Sequence, residues 1–259
     1  MHWRSPLGKG MTARMSSPGL ILRGASLAYA GTLLFDRLDL TLAGGETTCI
    51  LGPSGVGKSS LLRLVAGLAH GAAGAVAADD GRPLAGRLAW MAQSDLLLPW
   101  LTVSENVALG ARLRRRPGDR ERVGALLAGV GLAAERDLRP AALSGGMRQR
   151  VALARTLYED RPIVLMDEPF SALDAVTRLT LQDLAARLLQ DRTVVMVTHD
   201  PMEALRLGHR LLVLAGRPAR LIFDLRPEHR PPRDVRDADL LRRQADLLEA
   251  LRPAEGAGR

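Results

Sequence analysis

The stretch that decides the fold is residues 46–62, which read ETTCILGPSGVGKSSLL. A short apolar run ends there in a glycine-rich turn and an amphipathic pattern follows, which predicts the order strand, loop, helix. The loop has Gly52, then four residues, then Gly57-Lys58-Ser59, the spacing at which a backbone can wrap the phosphates of a nucleotide. A glycine-rich turn with a stray lysine is the alternative, and the flanking strand and helix patterns argue against it.

Two side chains of this loop have specific predicted roles. Lys58 is expected to reach the β- and γ-phosphates, and the Ser59 hydroxyl is expected to bind Mg²⁺. The glycines allow a tight curl, so that consecutive N–H groups can point at oxyanions beside a helix N-terminus. The residues predicted to contact the nucleotide here are Gly52, Pro53, Ser54, Gly55, Val56, Gly57, Lys58, Ser59 and Ser60.

Composition limits the class of protein. The 259 residues carry a formal net charge of +8, and Lys9 and Lys58 are the only lysines, so the basic residues are almost all arginine. A positive charge of this size favours binding to nucleic acid or to acidic phospholipid headgroups. Aromatic residues make up only 3% of the chain, which leaves little for base stacking. We therefore expect no nucleic-acid partner.

The single cysteine and the short apolar runs indicate the cellular compartment of the chain. Cys49 lies in the apolar run before the phosphate loop and is expected to be core filler, and one cysteine cannot form a disulfide framework. No apolar run approaches the roughly 18 residues of a spanning helix. Residues 1–17 lack the apolar segment of a signal peptide and are predicted to be a disordered tail.

The chain after the tail begins with strands and continues into helices. Leu20–Leu42 alternates short apolar runs with turn residues, which predicts a small antiparallel region with Tyr29 at a turn. Residues 71–86 are rich in Gly and Ala and are interpreted as irregular. A strand is expected over Arg87–Ala92. The helical periodicity of Leu101–Tyr158, broken by an arginine run and by prolines, predicts a helical insertion.

The second half predicts a parallel sheet and a terminal helix. Two apolar runs, Pro162–Met166 and Thr193–Thr198, flank a helical stretch at Ala175–Leu189, and this order is typical of parallel strands covered by helices. After Arg226 the composition shifts, and Asp237–Leu251 has leucines on one helical stripe. That helix is interpreted either as a packed terminal helix or as a partner-binding helix. The stripe consists of Leu240, Leu241, Leu247, Leu248 and Leu251.

Two carboxylates follow the strand that ends at Met166. Asp167 is expected to hold Mg²⁺, directly or through water, and Glu168 is expected to be the general base that polarises an attacking water. His199 follows the next apolar strand and is expected at the same sheet edge, where open α/β sheets bind their ligands. Gln93 also ends a strand at that edge, and its amide is expected to touch Mg²⁺ or the lytic water.

A second phosphate-binding segment is predicted at Leu143-Ser144-Gly145-Gly146-Met147. Ser144 is a plausible N-cap, and the two glycines expose helix N-terminal N–H groups to an anion. One γ-phosphate has no evident need for two phosphate-binding segments, the loop at 52–59 and residues 143–147, from the same chain. A two-fold dimer that sandwiches ATP between facing chains is therefore predicted.

Together these motifs identify a family, because the chain from residue 20 to about 223 resembles the ATP-binding subunit of an ATP-binding cassette (ABC) transporter. The order of motifs matches in full, with Met147 in place of the usual glutamine as the one departure. The resemblance assigns Tyr29 to the adenine-stacking aromatic, residues 52–59 to Walker A and Gln93 to the Q-loop. It assigns residues 143–147 to the signature, residues 163–168 to Walker B, residues 171–174 with Asp174 to the D-loop, and His199 to the switch histidine.

The resemblance implies an α/β fold, a RecA-like P-loop core with an N-terminal antiparallel β subdomain and an inserted α-helical subdomain. The implied division is a tail at 1–17, an ATPase domain at 18–225 with the helical subdomain at about 94–158, and an extension at 226–259 with one amphipathic helix. ATP and Mg²⁺ are the implied cofactors. A homodimer, separate transmembrane permease subunits and, indirectly, a periplasmic or extracellular solute-binding protein are the implied partners, with the chain peripheral on the cytoplasmic face of the membrane.

Within the family, QSDLLLPWLTVSENV at residues 93–107 is similar to the nitrate, sulfonate and taurine importer group. The runs at 166–189 and 205–221 are similar to the subset assigned to hydroxymethylpyrimidine, a thiamine precursor. Import of a small polar solute is therefore expected. The alternatives are a soluble ABC mechanoenzyme that acts on nucleic acid or the ribosome, and an ABC exporter ATPase.

Overall fold

The computed structural model describes residues 17–29 and 31–251, so the predicted tail lies outside the described residues apart from residue 17. The strands are β1 (Leu20–Tyr29), β2 (Thr32–Leu42), β3 (Thr47–Leu51), β4 (Ala73–Ala78), β5 (Leu88–Met91), β6 (Ile163–Asp167), β7 (Thr193–Val197), β8 (Arg210–Ala215) and β9 (Arg220–Leu225). The helices are α1 (Lys58–Val65), α2 (Val103–Val107), α3 (Leu109–Leu113), α4 (Arg120–Gly129), α5 (Gly145–Tyr158), α6 (Ala175–Leu188), α7 (Pro201–Leu207) and α8 (Ala238–Leu251). No helix of this described part could cross a membrane.

A six-stranded sheet in the order β5-β6-β7-β3-β8-β9 forms the centre of the molecule. Its first five strands are parallel, as the strand, helix, strand pattern predicts, and β9 pairs antiparallel with β8. Alternate residues of the central strands face two separate hydrophobic cores; Val164 and Met166 of β6 face one core, and Ile163 and Leu165 face the other. Both faces are therefore buried, which explains the continuous apolar runs.

The antiparallel region has one strand more than the sequence predicts. Residues 71–86 are not irregular throughout, since β4 pairs with β1 and completes a sheet in the order β2-β1-β4. A Cβ on Gly74 would lie 2.4 Å from the carbonyl oxygen of Gly24, so small residues are needed where the two backbones approach. Because β4 consists of Ala, Gly and one Val, it has no apolar alternation to reveal it.

The segment predicted to be a helical insertion lies between β5 and β6 and is divided into four helices. Helices α2 to α5 occupy it, together with a 3₁₀ turn at Pro140–Ala142. The Thr102 side chain caps α2, and Glu105 completes a capping box. Tyr158 ends α5 and accepts a hydrogen bond from the Asp119 N–H (2.9 Å), which ties the loop before α4 to the end of α5.

The terminal helix packs on the domain, but its predicted stripe is only partly buried. Leu240 and Leu247 are fully buried, whereas Leu241 and Leu248 are about half exposed. The buried pair is seven residues apart, two turns along one face, and the exposed pair lies one residue further round the helix. The packed face of α8 is therefore narrower than the sequence indicates.

Arg233 fastens this extension to the domain. The side chain is 4% exposed and all of its hydrogen bonds go to backbone carbonyls. Nε donates to Glu228 (2.8 Å), one terminal nitrogen to Leu205 (2.6 Å) and Gly208 (2.8 Å), and the other to Pro227 (3.3 Å) and His229 (2.6 Å). Two of these carbonyls end α7, so the guanidinium joins that helix to the segment that leads into α8.

Candidate active site

The predicted phosphate loop connects β3 to α1, and two of its glycines are required by the space around them. Gly52 has φ 152°, and a Cβ there would lie 2.3 Å from the Leu214 carbonyl oxygen. Gly57 has φ 107°, and its Cβ would lie 3.0 Å from the buried ring of Phe35. A side chain at either position would force the loop away from the sheet.

Lys58 is the first residue of α1, and its ammonium group is held inside the loop. Nζ donates to the carbonyl oxygens of Gly52 (2.7 Å) and Pro53 (3.0 Å). Burial lowers the pKa of Lys58, and the nearby carboxylates of Glu168 and Asp167 oppose that shift. A cation beside a helix N-terminus is suited to a polyphosphate.

Asp167 and Ser59 lie together and fit a magnesium ion. Ser59 lies close enough to the Asp167 carboxylate for its hydroxyl to lower the pKa of that group, and the carboxylate oxygen Oδ1 is buried without a hydrogen-bond partner. Desolvation raises the pKa of Asp167, and the Ser59 hydroxyl partly opposes that shift. No group of three or more His, Cys, Asp or Glu side chains in residues 17–29 and 31–251 could hold a metal. A hard cation here would take its other ligands from phosphate and water, as Mg²⁺ does.

Of the three residues predicted to be catalytic, Gln93 and His199 both contact the third, Glu168. Gln93 Nε2 donates to Glu168 Oε2 (3.3 Å), and His199 Nδ1 lies 3.4 Å from Glu168 Oε1. The Glu168 backbone has φ 48°, a left-handed conformation, and its N–H donates to the Val197 carbonyl (2.9 Å). The carboxylate therefore stands at the carboxyl edge of β6 and β7, between an amide and an imidazole.

Gln149 on α5 is a site residue that the sequence interpretation missed. The side chain is 7% exposed; Nε2 donates to the Glu168 carbonyl (3.1 Å) and to Ser171 Oγ (3.3 Å), and Oε1 accepts from the Ala172 N–H (2.9 Å). Gln149 thus joins α5 to the turn that carries Glu168. The sequence does contain a signal for this role, a glutamine on the mostly apolar buried face of α5, because buried polar groups are hydrogen-bonded.

Glu203 is a second residue that the sequence interpretation missed, and it fixes the backbone beside His199. It is 5% exposed, and its Oε2 accepts from Thr198 Oγ1 (2.7 Å), while the same hydroxyl accepts from the Asp200 N–H (3.1 Å). Desolvation raises the pKa of Glu203 to about 7. The residues on both sides of His199 are therefore tied to one buried carboxyl group.

The other predicted residues lie apart from this cluster. Ser144 caps α5 through its hydroxyl, which accepts from the Met147 N–H (3.2 Å), and Asp174 caps α6 by accepting from the Thr177 N–H (3.0 Å). The Asp174 pKa is lowered by that backbone hydrogen bond. Tyr29 ends β1 with 77% of its surface exposed.

One glycine of the second predicted anion-binding segment, Gly146, borders the turn after Glu168. A Cβ on Gly146 would lie 3.3 Å from the Ala172 carbonyl oxygen, whereas one on Gly145 would touch only the end of the Arg148 side chain, at 3.9 Å. Within the described residues, no hydrogen bond or ion pair joins residues 143–147 to the phosphate loop. The described residues therefore show no direct polar contact between the two anion-binding segments of one chain.

Known proteins resemble this chain over most of its length. A family model described as ABC transporter matches residues 35–171. An uncharacterized ABC transporter ATP-binding protein of Haemophilus influenzae is 45% identical over 235 residues, which cover 89% of this chain and 97% of that protein. The aliphatic sulfonates import ATP-binding protein SsuB 1 of Rhodococcus jostii is 45% identical over 241 residues, 92% of this chain and 96% of that protein.

A solved structure extends the comparison to three dimensions. The ATP-binding cassette MJ0796, described as dimeric, in a post-hydrolysis state and bound to ADP and Pi, aligns with a TM-score of 0.71 at 29% identity. The alignment covers 80% of this chain and 98% of that one.

Proposed function

The chain belongs to the ABC transporter family, and from that membership we propose that it is the ATP-hydrolysing subunit of an importer for a small polar solute. It is an ATPase that uses ATP and Mg²⁺. The observation that carries the proposal is the convergence of Gln93 and His199 on Glu168 beside a phosphate loop. The direction of transport rests on relatives named as import proteins, 43–45% identical over most of their length. None of the comparisons favours the mechanoenzyme or the exporter alternative.

Each polar group of the site has a place in hydrolysis. The loop N–H groups and Lys58 bind the phosphates, and Ser59 and Asp167 would hold Mg²⁺, which would supply positive charge to the phosphate oxygens. The Glu168 carboxylate accepts the proton of the attacking water. His199 and Gln93 keep that carboxylate pointed at the γ-phosphate.

The same site needs a second copy of the chain. Ser144, Gly145 and Gly146 offer helix N-terminal N–H groups, but within the described residues no hydrogen bond or ion pair joins them to the phosphate loop of their own chain. In a two-fold dimer the signature segment of each protomer covers the ATP held by its partner. The dimeric state of the cassette MJ0796 supports this arrangement, with Tyr29 against the adenine ring and Asp174 at the dimer interface.

The segment after Gln93 is suited to contact a permease. Leu96 and Trp100 are 63% and 65% exposed, so two large apolar side chains of one short segment face water. The segment is firmly braced, because the buried Asn106 side chain accepts from the Leu98 N–H (2.8 Å) and donates to the carbonyls of Leu98 (3.2 Å), Leu101 (3.2 Å) and Thr102 (3.0 Å). A rigid, exposed apolar segment that begins at a catalytic residue can couple a membrane partner to hydrolysis.

The names of the relatives favour an aliphatic sulfonate as the solute. Nitrate, taurine and hydroxymethylpyrimidine remain predictions from the sequence, because this subunit has no contact with the solute. We place the chain on the cytoplasmic face of the membrane as a peripheral subunit. The solute would be delivered to the permease by a periplasmic or extracellular binding protein.

The experiment is ATPase activity of the chain with its genomically neighbouring permease and binding protein in lipid, with sulfonates, taurine, nitrate and pyrimidines added in turn. Stimulation by one solute establishes import and identifies the solute. A control with Trp100→Ser should keep the basal activity of the isolated chain and lose the stimulation. Activity that no solute and no permease changes would contradict the importer assignment.

A further inference from the structure

The most basic exposed segment of the described chain is residues 112–120, which read RLRRRPGDR and are called the arginine loop below. It joins α3 to α4 and contains five arginines and one aspartate, a net charge of +4 in nine residues. Every residue of the loop is exposed. Leu113 stands among the arginines with 74% of its surface exposed.

Most of this charge has no partner within the described chain. Arg114 pairs with Glu159 (2.7 Å), which anchors the loop to the end of α5. Arg112, Arg115 and Arg116 form no ion pair with any residue of 17–29 or 31–251. Three long cationic side chains around one exposed leucine form a surface that is both basic and apolar, unlike an ordinary solvated face.

The loop and the segment that is proposed to contact the permease are both held by the C-terminal part of α5. The Arg155 guanidinium on α5 donates to the carbonyls of Asp95 (2.6 Å) and Leu96 (2.9 Å). Glu159, which holds Arg114, is four residues further along the chain, about one helical turn or 6 Å away on the same face. The arginine loop and the exposed Leu96 are therefore both tied to one side of α5, one helical turn apart at their points of attachment.

We propose that the arginine loop binds anionic phospholipid headgroups of the membrane beside the permease, with Leu113 entering the interfacial region. This inference rests on the proposed function, which brings this side of α5 to the cytoplasmic membrane surface. The cytoplasmic loops of membrane proteins carry an excess of Lys and Arg, so a loop with net charge +4 is repelled by them. The complementary charge at that surface is the phosphate of acidic lipids, which attracts polybasic segments. The loop has no aromatic residue for base stacking, which argues against nucleic acid.

The test is co-sedimentation of the full chain with vesicles of phosphatidylcholine alone or with about 30% phosphatidylglycerol. The loop variant carries Arg112→Gln, Arg115→Gln and Arg116→Gln, and it leaves the anchoring Arg114 intact. A matched control variant carries Arg37→Gln, Arg220→Gln and Arg242→Gln, which remove the same charge at exposed positions outside the loop.

We expect the wild-type chain and the control variant to bind the anionic vesicles and not the neutral ones. The loop variant should bind them about 100-fold more weakly, because each arginine near an anionic surface contributes a factor of roughly five. Binding should fall steeply in 0.5 M salt. Equal binding by the two variants, or binding that salt does not weaken, would overturn the proposal.

Two further measurements separate this proposal from competing outcomes. Loop-dependent binding of labelled poly(U) without vesicle binding would overturn it and assign the loop to nucleic acid. Basal ATPase in solution should be the same for all three proteins. Solute-stimulated ATPase together with equal vesicle binding by both variants would refute the lipid contact and leave the importer function standing. Loop-dependent vesicle binding without any stimulation would support the contact and contradict the importer function.

Discussion

Replacement of Gln149 by methionine tests whether α5 positions the general base. Gln149 makes three hydrogen bonds to the segment that carries Glu168, each worth about 1 kcal/mol net. Ser171 Oγ also donates to the Glu168 carbonyl (3.1 Å), so the variant loses the equivalent of about two bonds, or roughly 2 kcal/mol. The left-handed backbone of Glu168 costs about 1–2 kcal/mol. The loss is thus sufficient to let that backbone relax and move the carboxylate.

The assay is steady-state ATP hydrolysis by the purified full chain. We expect kcat to fall about 30-fold, the equivalent of roughly 2 kcal/mol. KM for ATP should change little, because Gln149 has no contact with the phosphate loop. The matched control is Gln182→Met, another buried glutamine, which accepts a hydrogen bond from Arg206 (3.0 Å). It should cost similar stability in urea and leave kcat unchanged. Normal kcat in Gln149→Met, or the same kcat loss in both variants, would refute the positioning role.

Three other predictions concern the dimer, the pH dependence and the terminal extension. Ser144→Arg and Lys58→Ala should each abolish hydrolysis, whereas mixed dimers of the two should regain one working site; mixed dimers as inactive as either parent would contradict the facing sites. Because the Glu203 pKa is raised to about 7, the folded chain is more stable when this carboxyl group is neutral. That part of the free energy of unfolding is fully present below about pH 4.5 and is lost as the pH rises through 7. Glu203→Gln should therefore gain stability over wild type with rising pH, by up to about 3 kcal/mol in urea unfolding; a difference that does not change with pH would contradict the assignment. Arg233→Met should destabilise the chain by about 3 kcal/mol or more, because it leaves buried carbonyls unpaired, and a change below about 1 kcal/mol in urea would show that the extension is held by other contacts.

The sequence is informative where a role depends on local spacing. The phosphate loop, the carboxylates after β6 and the histidine after β7 all follow from a strand ending beside particular residue types. The parallel sheet then brings these strand ends together. Glu168, Gln93 and His199 converge for this reason, although they are separated by many residues along the chain.

The missed features depend on contacts between distant segments. Gln149 and Glu203 act on backbone and hydroxyl groups that only the fold brings near. Strand β4 has residues too small to show a pattern, and Arg233 lies in a Pro- and Arg-rich stretch whose composition is that of a solvated linker. Its five carbonyl partners are invisible in the sequence because all of them belong to loops or to the end of α7.

The most direct test of a shared site with Glu168 as its general base is the oligomeric state and turnover of Glu168→Gln with saturating ATP and Mg²⁺. If Glu168 is the general base of a shared site, the variant should bind ATP, hydrolyse it at least about 100-fold more slowly and accumulate as a dimer of twice the monomer mass in light scattering. The added variant Ser144→Arg should abolish that dimer. Normal turnover by Glu168→Gln, or a monomer that binds ATP at saturation, would contradict the central claim.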